Sequence, residues 1–337
     1  MYEAGPPTQR SRRAMNGSAM RNDWWSVLKL AGVAMLAVSV VAPAIHGQTG
    51  DRQLLESKES LYNNIYVYQD GPLVSMTFGQ NRKLYTESIY NTADPGELPV
   101  KYTQMMTATV MYPPHLDSVL EIGFGGGRTA SYLHQYLPDT QITSVELDPT
   151  VVELAKKYFT VKDDDHFKQV VKDGRLFLAD TKDHYDIILI DAYRGPFVPF
   201  HLLTQQFYQL VKDHLSDGGV VAQNVEPTTM LFDSAVKTIH SVFPQIEFYS
   251  AEGNVVTVAY PGKFETQDEL AKTAAERQAK YHFRYELPTL LAARKRFPPD
   301  IGPMNADAPV LTDDFAPVEA LKAIDRHNEK LPSEQAN

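Results

Sequence analysis

The stretch "SVLEIGFGGGRTASYLHQYL", residues 118–137, decides the fold. It opens on a short apolar run that reads as a strand, places four glycines within the five positions 123–127, and continues with apolar residues at helical spacing. Strand, glycine turn and helix form the first unit of an open parallel sheet, and such sheets take ligands beyond the carboxyl ends of their strands. Glycines let the backbone bend through positive φ and let a ligand approach the amides without meeting a Cβ. Downstream the alternation continues: "QITSVELD", "FKQVV", "YDIILID" and "VVAQNV" read as strands, with "TVVELAKKYF", "GRLFLAD" and "TQQFYQLVKDHL" as helices and "DGG" as a tight turn. Alternation of this kind implies right-handed crossovers and a mostly parallel sheet. "FDSAVKTIHSVF" is predicted to be a helix and "IEFYSA" with "NVVTVAY" a final antiparallel pair, giving an α/β, Rossmann-like sheet of seven strands.

Working outward, four regions follow. Residues 116–262 form the nucleoside-binding domain. Residues 51–115 form a small β-rich module, since "NNIYVYQDG", "LVSMTFGQ" and "KLYTESIYN" alternate aromatic or branched residues with polar ones between turn signals. Residues 263–337 form a helical extension, polar and helical in pattern over 266–297, then a Pro-rich segment and a polar tail. Residues 1–47 read as a signal peptide or an N-terminal membrane anchor. Arg10, Arg12, Arg13, Arg21 and Lys29 precede the uncharged run "LAGVAMLAVSVVAPA", which ends in small residues. That run is shorter than the roughly 20 residues that span a bilayer comfortably. The expectation is therefore an exported, periplasmic domain if the segment is cleaved, or an inner-membrane anchor, including one facing the cytoplasm.

The formal charge of -10 disfavours nucleic acid as a partner, because binding a phosphate backbone needs clustered Lys and Arg. There is no cysteine, which removes disulfides, thiolate metal sites and Cys nucleophiles. The ten histidines are scattered without metal-ligand spacing, so no metal is expected, and "DDD" at 163–165 reads as a solvated loop rather than a cation site. No G-x-S-x-G elbow or P-loop lysine occurs.

The glycine loop lacks the sixth-position glycine of the dinucleotide fingerprint, where Arg128 stands, so NAD is disfavoured. Four acids mark the same sheet edge. Glu121 precedes the loop; Glu146 ends the second strand, placed either to accept from ribose hydroxyls or as a solvated strand-end acid. Asp173, followed by Gly174, ends the third strand as an adenine-amino acceptor or a helix N-cap. Asp191 ends the apolar "YDIILID", where a terminal carboxylate is better explained by ligand chemistry than by stability.

The spacing Glu121-x-Gly123-x-Gly125-x-Gly127 resembles motif I of the class I S-adenosylmethionine-dependent transferases. With "VKYTQMM", "IGFGGG", "SVELD", "VKDGRLFL", "IDAYRGPFVPFHLLTQQFYQLVKDHLSDGGVV" and "NVEP", the chain from about Tyr66 to Tyr260 resembles the spermidine synthases (polyamine aminopropyltransferases), in particular bacterial spermidine synthase-like proteins often fused to membrane transporter segments. "LTDDFAPVEAL" is also similar to that group. The resemblance implies decarboxylated S-adenosylmethionine as co-substrate (or S-adenosylmethionine, on the same scaffold), no metal, and a polyamine or other small amine as acceptor. Cofactor contacts would come from Glu121, Gly123, Gly125, Gly127, Glu146, Asp173, Gly174 and Asp191. Tyr102, Gln104, Asp191 and Glu226 would orient the acceptor, with Asp191 binding or deprotonating its amine. Dimers and tetramers are common in the resembled family, which implies a homodimer as one state open to this chain.

Two positions depart from the resembled pattern. Gly126 stands where an Asp near the aminopropyl group is usual, and Arg194 replaces the second acid of the active-site loop, the usual candidate base. Like charges about 4 Å apart at an effective dielectric near 20 repel by roughly 4 kcal/mol. An inward Arg194 would therefore reject polyamines and favour an anionic acceptor; alternatively it points to solvent or pairs with Asp191. Three functions follow: aminopropyl transfer, methyl transfer to an anion held by Arg194, or non-catalytic nucleoside or polyamine binding.

Overall fold

The computed structural model describes residues 52–314, apart from 81–82, 196, 228, 230, 252, 297–304 and 306. The segment expected to be an N-terminal signal or anchor, residues 1–47, and the C-terminal tail lie outside the described residues. Among the described residues no helix is long and apolar enough to cross a membrane.

The β-rich module is an antiparallel meander of β1 (Gln53–Glu59), β2 (Asn64–Asp70), β3 (Leu73–Gln80) and β4 (Lys83–Asn91), in that spatial order. Ile65 and Val67 of β2 alternate inward with Met76 and Phe78 of β3, as period-2 patterning dictates. The β3/β4 register breaks at one place: Met76 faces Ser88 and Thr77 faces Thr86, so Glu87 between them has no partner and forms a β-bulge.

The chain then passes through α1 (Lys101–Met106) and a 3-10 turn (Thr107–Met111) into the main domain. In order come β5 (Ser118–Ile122), α2 (Arg128–Tyr136), β6 (Gln141–Glu146), α3 (Pro149–Tyr158), β7 (Phe167–Val171), α4 (Gly174–Asp180) and β8 (Tyr185–Ile190). After a 3-10 turn at Phe200–Leu202 follow α5 (Gln205–Asp213), β9 (Leu215–Val225), α6 (Phe232–Val242), β10 (Gln245–Ala251) and β11 (Asn254–Tyr260). Last are α7 (Gln267–Tyr281), α8 (Leu287–Ala292) and β12 (Arg294–Arg296). The sheet order is β12-β10-β11-β9-β8-β5-β6-β7. Neighbours from β7 to β9 pair in parallel, and those from β9 to β12 pair antiparallel. Successive crossovers leave β5 in opposite directions, toward β6 and toward β8, so the topological switch lies between β5 and β8. Apolar clusters cover both sheet faces, and β8 is buried along its whole length.

The architecture is the Rossmann-like fold with an antiparallel edge, with two local differences from expectation. The "DGG" turn lies inside β9: Tyr185 pairs with Leu215 and Ile187 with Val220, so Ser216–Gly219 bulge out of an otherwise continuous strand. The second difference is an eighth strand, β12, where helical pattern was predicted. Its Arg294 is drawn to Glu247 of β10, both side chains 2% exposed or less, and Glu247 also accepts from Tyr112 Oη (2.5 Å) and Tyr260 Oη (2.7 Å). Removing the guanidinium leaves a buried carboxylate uncompensated, so Arg294→Met is expected to lower unfolding stability by about 3–5 kcal/mol. Urea denaturation checks this; a loss under about 1 kcal/mol would show that the pair is energetically idle.

Candidate active site

A cavity of about 500 Å³ opens at the switch point, with the glycine loop on one side and the segment after β8 on the other. Glu87, Glu121, Glu146, Asp173 and Asp191 all line it. Its volume lies in the range of small-molecule sites.

Gly123 is the first loop residue. It has φ +90°, its amide donates to Val145 O (2.9 Å), and Asp191 N donates to Ile122 O (2.8 Å), so the ends of β5, β6 and β8 are tied together here. Gly125 and Gly174 also line the cavity, whereas Gly127 caps α2 and packs under Phe124 and Val161. At Gly126 a Cβ would lie 2.7 Å from Phe159 Cδ1 and 2.8 Å from Ser88 Cβ, and its amide donates to Ser88 Oγ (2.8 Å). An acid at this position therefore has no room unless β4 and α3 shift.

The acids differ in how they are held. Glu121 is buried between β5 and β6, accepts from Ser144 Oγ (2.7 Å), and burial pushes its carboxyl up to about 8 against that bond. Glu146 folds back on the loop: Oε2 accepts from Phe124 N (3.0 Å) and Gly125 N (3.3 Å), Oε1 from Asp148 N (3.0 Å). Burial raises its pKa while these amide bonds oppose the rise. A carboxylate oxygen has two lone pairs, so the two amides fill Oε2 and one lone pair on Oε1 remains for a ligand hydroxyl. Asp173 does cap α4, through Oδ1 to Leu176 N (3.0 Å), and its Oδ2 meets His201 Nε2 (2.8 Å). The His201 bond, mainly, holds its pKa low. An adenine amino group would therefore share Oδ2 with His201.

Asp191 sits at the centre. Oδ2 accepts from Tyr102 Oη (3.0 Å) and Oδ1 from Asn224 Nδ2 (3.1 Å), while burial pushes its carboxyl up to about 6 against both bonds. Burial and then the Asp191 charge raise the Tyr102 phenol well above its ordinary value, which keeps it a donor. Asn224 Oδ1 is buried without a hydrogen-bond partner among the described residues. Tyr193 Oη donates to Asn224 O (3.0 Å), fixing the segment after β8 against β9.

Two residues expected at the acceptor, Gln104 and Glu226, stand elsewhere. Gln104 is buried with its amide on Leu98 O (2.6 Å), on the side of α1 away from the cavity, so it orients backbone rather than substrate. Glu226 lies beyond the end of β9 and outside the cavity lining, though its charge reaches Tyr85 and Tyr193. Arg194 lines the cavity at its exposed edge; its backbone bridges to Phe197, and Asp191 pairs with Tyr102 and Asn224 instead of with it. Sequence reading missed Glu87, Asn224, Tyr193 and His201. "DDD" is used locally: Lys156 pairs with Asp163 (2.6 Å) and His134 with Asp164 (2.8 Å). Among the described residues no group of three or more His, Asp or Glu is arranged to hold a metal.

Residues 100–264 match the family described as "Spermine/spermidine synthase domain". The chain is 30% identical to the polyamine aminopropyltransferase of Vibrio vulnificus, over 81% of this chain and 93% of that protein. It is 31% identical to the Drosophila melanogaster eEF1A lysine and N-terminal methyltransferase homolog, but over only 45% of this chain and 25% of that protein. A solved spermidine synthase in complex with the transition state analogue AdoDATO superposes with a TM-score of 0.59 at 23% identity, covering 71% of this chain and 84% of that one. Fold and site together define a Rossmann-like transferase with an acid-lined pocket at its switch point. The chain belongs to the spermine/spermidine synthase family.

Proposed function

We propose that this protein transfers an aminopropyl group from decarboxylated S-adenosylmethionine to the amine of a polyamine. The observation that carries this reading is Asp191, a buried carboxylate at the switch point held by two donors, with its proton affinity raised into the working range of a general base. The residues present fit such a donor. Gly123 and Gly125 leave backbone open to the cavity, Glu146 offers a free lone pair on Oε1 to a ribose, and the six lining acids, Asp148 among them, suit a doubly cationic molecule. The donor supplies a carbon made electrophilic by its neighbouring sulfonium. Asp191 binds the acceptor ammonium and takes one proton from its nitrogen, leaving a neutral amine. Attack forms the N–C bond as the C–S bond breaks, and the C–S electron pair stays on sulfur, giving a neutral thioether nucleoside. Tyr102 and Asn224 hold the carboxylate in line throughout.

Arg194 lines the cavity but is exposed, so water screens its guanidinium and weakens its repulsion of a cationic acceptor. The same screening weakens methyl transfer steered by Arg194 to an anion. The donor is a cytoplasmic metabolite, so a cytoplasm-facing N-terminal anchor suits this reading better than an exported domain.

Incubation of purified protein with decarboxylated S-adenosylmethionine and putrescine, spermidine or another polyamine is expected to release methylthioadenosine in equal amount to aminopropylated amine. Tight methylthioadenosine binding with no product from any amine would overturn transfer in favour of a binding protein, and S-adenosylhomocysteine formed from S-adenosylmethionine would favour methyl transfer.

A further inference from the structure

Glu87 is the lining acid that neither the glycine loop nor the ends of the parallel strands account for. It comes from β4 of the antiparallel module, as the extra residue of the bulge opposite Met76 and Thr77. Bulges next to active sites re-aim a side chain, and this one turns a carboxylate of the module into a cavity of the main domain. Its Oε1 is buried with no hydrogen-bond partner among the described residues. The charged groups that bear on it most are themselves carboxylates, Asp191 at the end of β8 and Glu146 at the end of β6. The phenols of Tyr85, Tyr102 and Tyr193 also lie within reach of its charge. A buried carboxyl oxygen without a partner costs stability wherever it sits. Here it stands beside Ser88, which occupies the space an acid at Gly126 would need.

Resting on the aminopropyltransferase reading, we infer that Glu87 is a substrate-binding residue that receives a primary alkylammonium group in the transfer end of the cavity. That ammonium belongs either to the aminopropyl arm of the donor or to the acceptor amine; both present the same chemistry. A primary ammonium brings three donors and one positive charge to a site that holds a partnerless acceptor among carboxylates. Burial first, and then the charges of Asp191 and Glu146, raise the Glu87 pKa well above the ordinary carboxylate range, which favours the protonated carboxyl in the free protein. An arriving ammonium favours the ionised form and expels the proton.

The test is calorimetry at pH 7 in buffers of different ionisation enthalpy, comparing wild type with Glu87→Gln. The ligands are methylthioadenosine, its S-methyl sulfonium (charged at sulfur, without an ammonium), decarboxylated S-adenosylmethionine, and putrescine added to the methylthioadenosine-loaded protein. Wild type is expected to release more protons on binding an ammonium-bearing ligand than on binding methylthioadenosine. Glu87→Gln is expected to abolish that excess and weaken the ammonium ligand at least tenfold, with methylthioadenosine and its sulfonium within twofold. Weakening confined to the donor assigns the aminopropyl arm, and weakening confined to putrescine assigns the acceptor. Unchanged affinity and proton release for both would overturn the inference, as would loss of methylthioadenosine binding in the variant, which would make Glu87 structural. If wild type binds none of the nucleosides, the aminopropyltransferase reading itself fails, and this inference with it.

Discussion

Asp191→Asn is expected to reduce turnover about 10³-fold while leaving methylthioadenosine affinity within a few fold, the size of effect that removal of a positioned general base produces. Asparagine matches the shape of aspartate and can still accept from Tyr102 Oη, so what the substitution removes is the charge and the proton acceptor. Wild-type kcat/KM should carry an acidic limb near pH 6. Burial raises the Asp191 carboxyl to about 6, so it is mostly protonated and inactive a unit below that and mostly ionised a unit above. Activity therefore rises with pH through this region, and the limb should vanish in the variant. Steady-state kinetics between pH 5 and 8 measures both effects. Retention of more than a fifth of wild-type turnover in Asp191→Asn would remove Asp191 from the chemistry.

The residues that hold Asp191 show how far the sequence alone could be read. The parallel core was legible because each of its strands is a short apolar run followed by a helix of clear periodicity, and acids ending such runs stand out. Glu121, Glu146, Asp173 and Asp191 were found in this way, and the cavity gathers all four. Glu87 was not found because alternation along "KLYTESIYN" makes it one more polar residue of a half-exposed strand; only the bulge, a one-residue slip between two strands, turns it inward. The same spacing logic separates Tyr102 from Gln104. Residues two apart on a helix do not share a face, so with Tyr102 on Asp191 the amide of Gln104 had to point elsewhere. Asn224 gave no signal in "VVAQNV", since its role depends on β9 lying beside β8. β12 was illegible for a related reason: three charged or polar residues form a strand there because Glu247, far away in sequence, needs Arg294.

The glycine loop gives the other large effect. Gly123→Ala is expected to weaken methylthioadenosine binding at least 100-fold and to destabilise the fold by about 2–4 kcal/mol, more than the φ term alone explains. At φ +90° any residue with a Cβ is strained, at a cost of about 1–3 kcal/mol. The added methyl would also lie 2.4 Å from Asp191 O and 2.6 Å from Ala192 N and Cα. These are backbone atoms, so no rotamer change relieves the contact; the ends of β5 and β8 must move apart. That movement breaks the Asp191 N to Ile122 O bond and displaces the carboxylate that Tyr102 and Asn224 hold. Gly253→Ala is the matched control: its φ is +84° but nothing lies within 4 Å of its Cβ, so it should carry the strain without the contact. Urea unfolding and nucleoside calorimetry on the two variants separate the terms. Equal losses of stability and no loss of binding in Gly123→Ala would mean that β5 and β8 absorb the methyl without opening, and that the switch point is less tightly closed than its hydrogen bonds require.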